Sequence, residues 1–321
     1  MASKHNTSEL GLLRSVLSPE NGKRYLERTE ILNRANPEAW EKIDFPLEIA
    51  LELTNHCNLR CVMCPNPTLK RNKGYMEEGT FKKIIEDISK ERGFLFMPQG
   101  FGEPLLHRKF SEFTKMASHW GIKPIVVLSN GMLLNEATLL SMLDSVDILI
   151  VTIDGVKAET YESIRVGGNL EKVTRNVDQF LKMRGDRKRP YLVLRIIDMK
   201  GTEQEIPKFK ECWWNKIRET DIIQVAGYND WAGSIHSETT RVKGKEQRHP
   251  CRMLWKNLTV FHNGQVTPCC YDAEGELSIG NVVNQSIQEL WNGTALTEIR
   301  DIHLAHRFEQ IPICQRCNSW F

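Results

Sequence analysis

The chain has 321 residues and a formal net charge of +2, with acidic and basic side chains interspersed along its length. This length suffices for one barrel-type domain with an appendage or for two ordinary domains. The balanced charge argues against a protein that binds nucleic acid or a membrane surface, and no apolar run approaches the roughly 20 residues that span a bilayer. The first residues, MASKHNTSEL, lack the apolar core of a signal peptide, so the sequence predicts a cytoplasmic location.

Repeating units begin after a short N-terminal extension. Residues 1–45 are predicted to form short amphipathic helices with breaks at SPENG and ANPEAW. From Pro46 onward, strand-length apolar runs such as LEIALEL, VDILIVTI and YLVLRII alternate with helical-period segments such as TFKKIIEDISK and NLEKVTRNVDQFLKMRG. Strands this uniformly apolar, each followed by a helix, indicate parallel strands buried on both faces. Six such units over residues 46–235 predict an α/β fold, a partial (β/α)6 barrel.

Polar residues follow each predicted strand, which is where such barrels carry their chemistry. In chain order the strands are followed by TNHCNLRC, GFGEP, SNG, DG and GYNDW, while the fifth strand contains Arg195. These groups are therefore expected to meet at one mouth of the barrel. A polar linker, residues 236–250, then leads to residues 251–321, where we expect short strands, a hairpin at FHNGQV and one helix around SIQELWNGTALTEIR.

Three cysteines on the loop after the first strand form the first chemical motif. Thiolates at Cys57, Cys61 and Cys64 can converge on one metal centre. A closed zinc site or a fully ligated iron–sulfur cubane needs four ligands, so three leave one iron open. The zinc alternative would need His56 as the fourth ligand, and its adjacency to Cys57 makes joint ligation strained.

The stretch CNLRCVMC resembles the Cys-x3-Cys-x2-Cys signature of the radical S-adenosylmethionine (SAM) superfamily, and the resemblance extends over residues 46–321. It implies that Cys57, Cys61 and Cys64 bind a [4Fe–4S] cluster whose open iron is chelated by SAM. One electron, from an external donor such as flavodoxin or ferredoxin, would cleave SAM to methionine and a 5′-deoxyadenosyl radical. That radical abstracts hydrogen from an unactivated C–H bond.

The same resemblance assigns SAM contacts to the other strand ends. In GFGEP, the glycines including Gly102 would let the backbone approach the methionine, and Glu103 would accept from its ammonium; the alternative for Glu103 is a helix-start acid. Arg195 would reach the SAM carboxylate, with an internal ion pair as the alternative. Met63 would lie near the adenine or pack in the core. Four further residues would face the ribose and methionine, namely Ser129, Asn130, Thr152 and Asp154. The short motifs that contain them, SNG and TIDG, are also common in turns.

A second cysteine group follows the linker. Its four thiolates could fully ligate a second cluster: Cys251, Cys269, Cys314 and Cys317. The spacing resembles the auxiliary-cluster domain of radical SAM enzymes, in the shortened twitch form rather than the longer SPASM form, because the chain stops at Phe321 before further cysteines. The fold expected from the resemblance is therefore the partial barrel followed by a small α+β twitch domain. A structural zinc ion is the alternative for this site.

The remaining candidates concern the reaction itself. Cys270 is spare by count and could donate a hydrogen atom to a substrate radical, or be a buried small hydrophobe. Asp230 and Tyr228, after the sixth strand, are candidate proton acceptors, with a loop cap as the alternative. Trp231 could stack on a sugar ring or pack against the linker. Cys212, in the helical stretch KECWWNKI, is expected in the core.

Four functions are open on the sequence. The leading hypothesis is a radical SAM enzyme that oxidises an alcohol carbon of a sugar or aminocyclitol to a carbonyl, with the auxiliary cluster as electron acceptor. An epimerase using Cys270 is the second, and a peptide-modifying maturase the third, although residues 1–45 look too short for a peptide-recognition domain. The fourth, from a different class, is a non-catalytic metal-binding protein.

Overall fold

We describe the fold from a computed structural model, which covers residue 13, residues 16–34, residues 36–235 and residues 248–318. Within those ranges, no helix combines the length and the apolar character needed to cross a membrane.

Helix α1, Pro19–Leu32, begins where the sequence analysis placed a break. In SPENG, the Ser18 side chain accepts from Asn21 N and Pro19 occupies the first turn, so the stretch starts a helix. Likewise, in ANPEAW the Asn36 side chain caps a short 3₁₀ helix, Pro37–Lys42. Asn21 Nδ2 donates to Lys123 O at 3.1 Å, which places α1 across the amino ends of the barrel strands.

Six parallel strands form the predicted partial barrel, and they are β1 Glu48–Leu51, β2 Leu95–Met97, β3 Val126–Ser129, β4 Ile148–Thr152, β5 Tyr191–Asp198 and β6 Ile222–Gly227. β1 pairs with β2, β3 to β6 pair in succession, and a bridge between Phe96 and Ile125 joins the two sets. The α/β partial barrel predicted from the sequence is confirmed.

Helices connect the strands on the outside, and they are α2 Glu78–Ile88, α3 Phe110–His119, α4 Glu136–Ser145, α5 Ala158–Ile164, α6 Leu170–Arg184 and α7 Ile206–Trp214. The short α5 was not predicted, because DG followed by polar residues is typical of a loop. Helix α6 shows why the others form: Asn169 caps its start, and Val173, Val177 and Phe180 make one buried stripe.

The strands β3–β6 bury different side chains on their two faces. Val127, Leu149 and Leu194 belong to the main core beneath the helices, whereas Val126 and Val193 line the inner face of the barrel. Because side chains alternate along a strand, residue 195 shares the inner face with Val193. Residues 13 and 16 also pack on the inner cluster, so the N-terminal segment covers the amino end of the barrel.

Cys212 of α7 is exposed, so its prediction as a core residue is wrong. The buried positions of this helix are Phe209 and Trp213. With Ile217 they repeat every fourth residue and make a narrow stripe, and Cys212 lies well to one side of it.

The C-terminal region continues the barrel sheet. Its strands are β7 Asn257–Val260, β8 Gln265–Thr267 and β9 Gly280–Asn281. β7 pairs parallel with the free edge of β1, and β7 and β8 form the predicted hairpin, with Gly264 at φ +84° in the turn. Residues 236–247 of the predicted linker lie outside the described residues, and the domain boundaries remain a prediction.

The helix predicted around SIQELWNGTALTEIR is in fact two helices, α8 Ile287–Trp291 and α9 Thr294–Leu304, and α10 Pro312–Arg316 follows. Asn292 ends α8 and Gly293 begins α9 with extended backbone, at φ −76° and ψ 160°. Ser286 and Glu289 form a capping box at the start of α8. The prediction of one helix is therefore wrong, because Asn-Gly interrupts an otherwise helical pattern.

Candidate active site

The first cysteine group lies on the loop after β1, at the carboxyl end of the barrel. Cys61 is buried, and Cys57 and Cys64 are partly buried. The backbone N–H groups of Leu59 and Asn66 donate to Cys57 Sγ and Cys64 Sγ, each at 3.5 Å. Burial, helped by the carboxylate of Glu103 and the other two thiols, raises the pKa of Cys57 to about 11. Three mutually repelling thiolates need a cationic partner to ionise together, which suits an iron–sulfur cluster.

Gly102 packs directly on this loop. A Cβ at Gly102 would lie 2.3 Å from Thr54 O and 2.5 Å from His56 O, so only glycine fits. The backbone N–H of Glu103 donates to His56 O at 2.9 Å. The approach to methionine predicted for this glycine stays a prediction, and the structure adds close packing against the cysteine loop.

Glu103 is a buried carboxylate held by neutral donors. Its side chain is 2% exposed and accepts from Ser129 Oγ at 2.8 Å, Asn130 N at 2.9 Å and Leu105 N at 3.3 Å. Burial raises the pKa of Glu103 to about 7 despite these hydrogen bonds. An ammonium group in contact with the carboxylate would offset the cost of burying its charge, so the residue fits the predicted contact with SAM.

The SNG turn after β3 connects Glu103 to the cysteine loop. Asn130 Nδ2 donates to Asn58 Oδ1 at 2.9 Å, and Asn130 Oδ1 accepts from Met132 N at 3.0 Å. Ser129 Oγ, which donates to Glu103, accepts from Gly131 N at 3.0 Å. Both predicted residues therefore lie at the mouth of the barrel, beside the cysteines.

Asp154 forms a buried ion pair with a residue that the sequence analysis missed. Arg165 Nη2 lies 2.5 Å from Asp154 Oδ2, and Ile197 N donates to Asp154 Oδ1 at 2.8 Å. Arg165 Nη1 also donates to Cys61 Sγ at 3.5 Å. Both Asp154 oxygens thus have partners within the chain, and Arg165 places a positive charge beside the cysteines. Arg165 directly follows the unpredicted helix α5. A single arginine at such a position belongs to no motif, so the sequence alone does not identify it as a site residue.

Arg195 and Thr152 lie opposite each other on the paired strands β4 and β5. Arg195 Nε donates to Gln224 Oε1 at 2.5 Å, which holds the guanidinium against β6 on the inner face. Thr152 is 4% exposed, and Met63 is 5% exposed within the main core. The contacts of these three residues with SAM stay predictions.

Glu52 joins the cysteine loop to the C-terminal hairpin, which the sequence analysis did not predict. The carboxylate is fully buried and accepts from both terminal nitrogens of Arg71, at 2.6 and 2.5 Å. It also accepts from Phe101 N at 3.1 Å and lies 3.1 Å from His262 Nδ1. Burial alone would raise the pKa of Glu52, but these partners outweigh it and lower the pKa to about 2.

The second cysteine group surrounds a pocket beneath the C-terminal helices. The four predicted ligands line it, and they are Cys251, Cys269, Cys314 and Cys317. Burial, helped by the neighbouring cysteines, raises the pKa of Cys314 to about 12. Apolar side chains such as Leu254 and Ile313 complete the lining together with Arg248 and with His303, which the sequence analysis missed. Four converging thiols in an apolar pocket fit a fully ligated cluster.

Within the described ranges, no three His, Cys, Asp or Glu side chains lie close enough to hold a single metal ion. A cubane takes one thiolate for each iron, so this spacing is compatible with a cluster.

Cys270 does not line that pocket. It lies near the amino end of β1, close to the ion pair in which Lys256 Nζ is 2.8 Å from Glu48 Oε1. Burial raises the pKa of Cys270 to about 12; Glu48 raises it as well, and Lys256 lowers it. The spare cysteine therefore lies outside the pocket lining, although it is close enough to Cys251 and Cys269 to interact with them electrostatically.

The residues after β6 lie between the two cysteine groups. Trp231 Nε1 donates to Met63 O at 2.7 Å, and the Trp231 ring lies 5.6 Å from Tyr271. Asp230 is 3% exposed and accepts from Asn318 Nδ2 at 3.1 Å, next to Cys317. Trp231 therefore bridges the two sites, and Asp230 lies beside the second. Tyr228 packs against the main core, and its proton-accepting role stays a prediction.

Family models match both parts of the chain. Residues 51–210 match the radical SAM superfamily, and residues 251–318 match the SPASM iron–sulfur cluster-binding domain. The chain belongs to the radical SAM superfamily and carries a C-terminal SPASM domain. Its cofactors are therefore SAM and [4Fe–4S] clusters, one that binds SAM and one auxiliary.

Curated relatives carry several names. The chain is 33% identical over 137 residues to the mycofactocin maturase of Mycobacterium tuberculosis, which covers 41% of this chain and 34% of that protein. It is 26% identical over 314 residues to the tungsten-containing aldehyde ferredoxin oxidoreductase cofactor-modifying protein of Pyrococcus furiosus, over 84% of this chain and 86% of that protein. The chain spans only 34% to 55% of the length of the mycofactocin maturases that it matches.

Solved structures share the fold. BtrN in complex with AdoMet and 2-DOIA superposes with a TM-score of 0.60 at 18% identity, over 86% of this chain and 94% of that chain. SuiB of Streptococcus suis, bound to the precursor peptide SuiA, superposes with a TM-score of 0.67 at 13% identity, over 87% of this chain and 70% of that chain.

Proposed function

We propose that this radical SAM enzyme oxidises an alcohol carbon of a hydroxylated small molecule, such as a sugar or an aminocyclitol, to a carbonyl. The observation that carries the proposal is the pocket that brings four cysteine thiols together apart from the first three. A fully ligated cluster has no open iron for substrate, so electron transfer is its natural role. When bound, the SAM-chelating cluster supplies the radical that removes a substrate hydrogen atom, and the auxiliary cluster accepts the remaining electron.

The residues at the mouth orient SAM in this proposal. Glu103 accepts from the ammonium, because its buried carboxylate receives only neutral donors within its hydrogen-bonding distance. Arg195 reaches the carboxylate from the inner face of β5. Cys57, Cys61 and Cys64 hold the cluster, and flavodoxin or ferredoxin is the proposed external reductant.

Polar groups beside the apolar cluster on the inner face of the barrel support a polar, hydroxylated substrate. Gln224 lies on this face with Arg195, and the ion pair of Glu48 and Lys256 lies near its amino end. Such groups can exchange hydrogen bonds with several hydroxyls, which an apolar substrate could not satisfy.

Loss of hydrogen leaves a hydroxyl proton that a base must accept before the carbonyl forms. Asp230 is the proposed acceptor, because it is buried beside Cys317 and between the two sites. Tyr228, two residues earlier, is the alternative. With SAM and the auxiliary cluster bound, the oxidation would balance as one hydrogen atom to the adenosyl group, one electron to the cluster and one proton to Asp230 or Tyr228.

A specific observation favours epimerisation as a second candidate. Cys270 is buried close to Glu48 at the amino end of β1, outside the lining of the four-thiol pocket. A thiol there could return a hydrogen atom to the substrate radical, which would give an isomer instead of a carbonyl. A maturase acting on a peptide is the third candidate, and it draws on the names of the curated relatives.

The test uses anaerobically reconstituted protein, reduced in the presence of SAM, with a panel of sugars, aminocyclitols and peptides. Mass spectrometry would follow 5′-deoxyadenosine and product. We expect wild-type protein to form a product two hydrogens lighter than its substrate. Cys57→Ala should form neither compound, while Cys314→Ala should form 5′-deoxyadenosine without the oxidised product.

The exposed Cys212→Ser serves as the matched control and should behave as wild type. Oxidised product from Cys314→Ala at the wild-type rate would contradict the electron-acceptor role. A product of unchanged mass that disappears in Cys270→Ala would replace oxidation by epimerisation. Turnover confined to peptides would favour the maturase.

A further inference from the structure

His303 touches two of the four cysteines of the second group. It lies in the last turn of α9 and is 1% exposed. Its Nδ1 lies 3.2 Å from the backbone nitrogen of Cys251, and its Nε2 lies 3.4 Å from Cys314 Sγ. One imidazole ring therefore joins two separate segments of the pocket.

These contacts fix which nitrogen carries the proton. A backbone N–H can only donate, so Nδ1 must accept the hydrogen bond from Cys251. In a neutral imidazole the proton is then on Nε2, and Nε2–H donates to Cys314 Sγ. The hydrogen bond to sulfur thus follows from geometry without assuming any charge on the ring.

Packing holds the ring in this orientation. Phe308 contacts His303 edge to face, with the ring centroids 5.0 Å apart. Arg248 Nη2 donates to Cys314 O at 2.7 Å and its guanidinium lies 4.5 Å from the Phe308 ring. The backbone of Cys314 and the ring of His303 are therefore fixed relative to each other.

We propose that His303 is a positioning residue that raises the reduction potential of the auxiliary cluster through its hydrogen bond to Cys314 Sγ. Reduction adds a negative charge that spreads over the cluster sulfurs, and an N–H donor stabilises that added charge. The low polarity of the pocket strengthens the interaction. A higher potential makes the cluster a better electron acceptor. The inference rests on the four-cysteine ligation in the proposed function but on neither the substrate nor the reaction.

The test measures a potential instead of turnover. In a background of Cys57→Ala, Cys61→Ala and Cys64→Ala, only the auxiliary cluster should remain, with about four irons per chain. A redox titration followed by electron paramagnetic resonance would give its midpoint potential. Three variants of His303 would be compared in this background, namely His303→Phe, His303→Asn and His303→Gln.

The three variants separate the two hydrogen bonds of the ring. Phenylalanine keeps the shape and removes both, asparagine can replace Nδ1 as acceptor, and glutamine can place an N–H near the position of Nε2. We expect the midpoint to shift to more negative values in the phenylalanine and asparagine variants and to return toward wild type in the glutamine variant. The exposed His306, which also packs on Phe308, provides the control His306→Gln and should leave the potential unchanged.

An unchanged midpoint in His303→Phe with full iron content would overturn the proposal. So would loss of iron from all three His303 variants, since that would make the residue necessary for cluster assembly and not for tuning. Absence of any iron in the triple-cysteine background alone would contradict the four-cysteine ligation itself, and the inference would fall with it.

Discussion

The two cysteine groups share one sheet but differ in what surrounds them. The first follows β1, where the guanidinium of Arg165 donates to Cys61 Sγ and the carboxylate of Glu103 is close enough to raise the pKa of Cys57. The second is enclosed mainly by apolar side chains together with Arg248, and the hydrogen bond to Cys314 Sγ comes from the imidazole of His303.

This difference matches two kinds of cofactor site. Charged groups of both signs beside an incompletely ligated centre can bind a charged ligand such as SAM, which carries an ammonium and a carboxylate. The second pocket is lined by four thiols, by mostly apolar side chains and by Arg248, and it suits a fully ligated cluster that only exchanges electrons.

Removing one thiol from each group should have opposite consequences for SAM. We expect Cys61→Ala to abolish 5′-deoxyadenosine formation, because the SAM-binding cluster loses one of its three ligands. Cys269→Ala should still cleave SAM when reduced, since that thiol belongs to the other site. Product assays by mass spectrometry, with iron analysis of each variant, would check this. An equal loss of 5′-deoxyadenosine formation in both variants would contradict the distinction between the two cysteine groups.

The buried ion pair of Arg165 and Asp154 at the first site should also stabilise the folded protein. Arg165→Gln leaves the fully buried Asp154 without its cationic partner, and we expect unfolding free energy to fall by about 3–5 kcal/mol. Arg175→Gln is the matched control, because its pair with Glu171 is exposed and is worth roughly 0.3–0.5 kcal/mol. Urea denaturation of the cluster-free protein measures both. Similar losses of unfolding free energy in the two variants would show that burial does not make the Arg165 ion pair more important for stability than an exposed pair.

Glu52 should couple the two sites, since it holds Arg71 near the first and His262 in the hairpin that leads to the second. Its folded pKa, lowered from 4.5 to about 2, corresponds to roughly 3 kcal/mol. Because the pKa is depressed, this stability is present above pH 4.5 and is lost as pH falls toward 2.

We therefore expect Glu52→Gln to lower the melting temperature at neutral pH and to flatten the loss of stability between pH 4.5 and 2. Thermal unfolding monitored by circular dichroism over that range is the measurement. Glu211→Gln, at an exposed carboxylate paired with Lys208, is the control and should have little effect. If the steep loss of stability at acid pH persists in Glu52→Gln, other carboxylates cause that loss.

The smallest effect concerns the affinity for SAM. The pKa of Glu103 is raised to about 7, so its carboxyl is protonated below that pH and the ionised form costs folding energy as pH rises from 4.5 through 7. The ammonium of SAM needs the ionised form, so the Kd should rise by about tenfold for each pH unit below 7. Calorimetric titration of SAM into reconstituted protein would show this dependence, and Glu103→Gln should remove it. A wild-type Kd that does not change from pH 6 to 8 would argue against the contact.

Local signals carried most of the fold. The apolar runs predicted all six barrel strands, and FHNGQV predicted the hairpin. Both predictions succeeded because strands and turns depend mainly on residues that are close together in the sequence. The failures have local causes as well. Cys212 lies outside a narrow buried stripe, and Asn292 with Gly293 interrupts a helical pattern that otherwise continues.

Periodicity and spacing along the chain were enough to predict which elements form and which cysteines fall into each group. The three-dimensional fold was needed to show that Arg165 contacts Cys61, that Glu52 binds both Arg71 and His262, and that His303 bridges Cys251 and Cys314. The physical reason is that these contacts join residues that are distant in sequence, and a single arginine, glutamate or histidine carries no periodic signal. Their partners are set by how the strands stack and where the helices end.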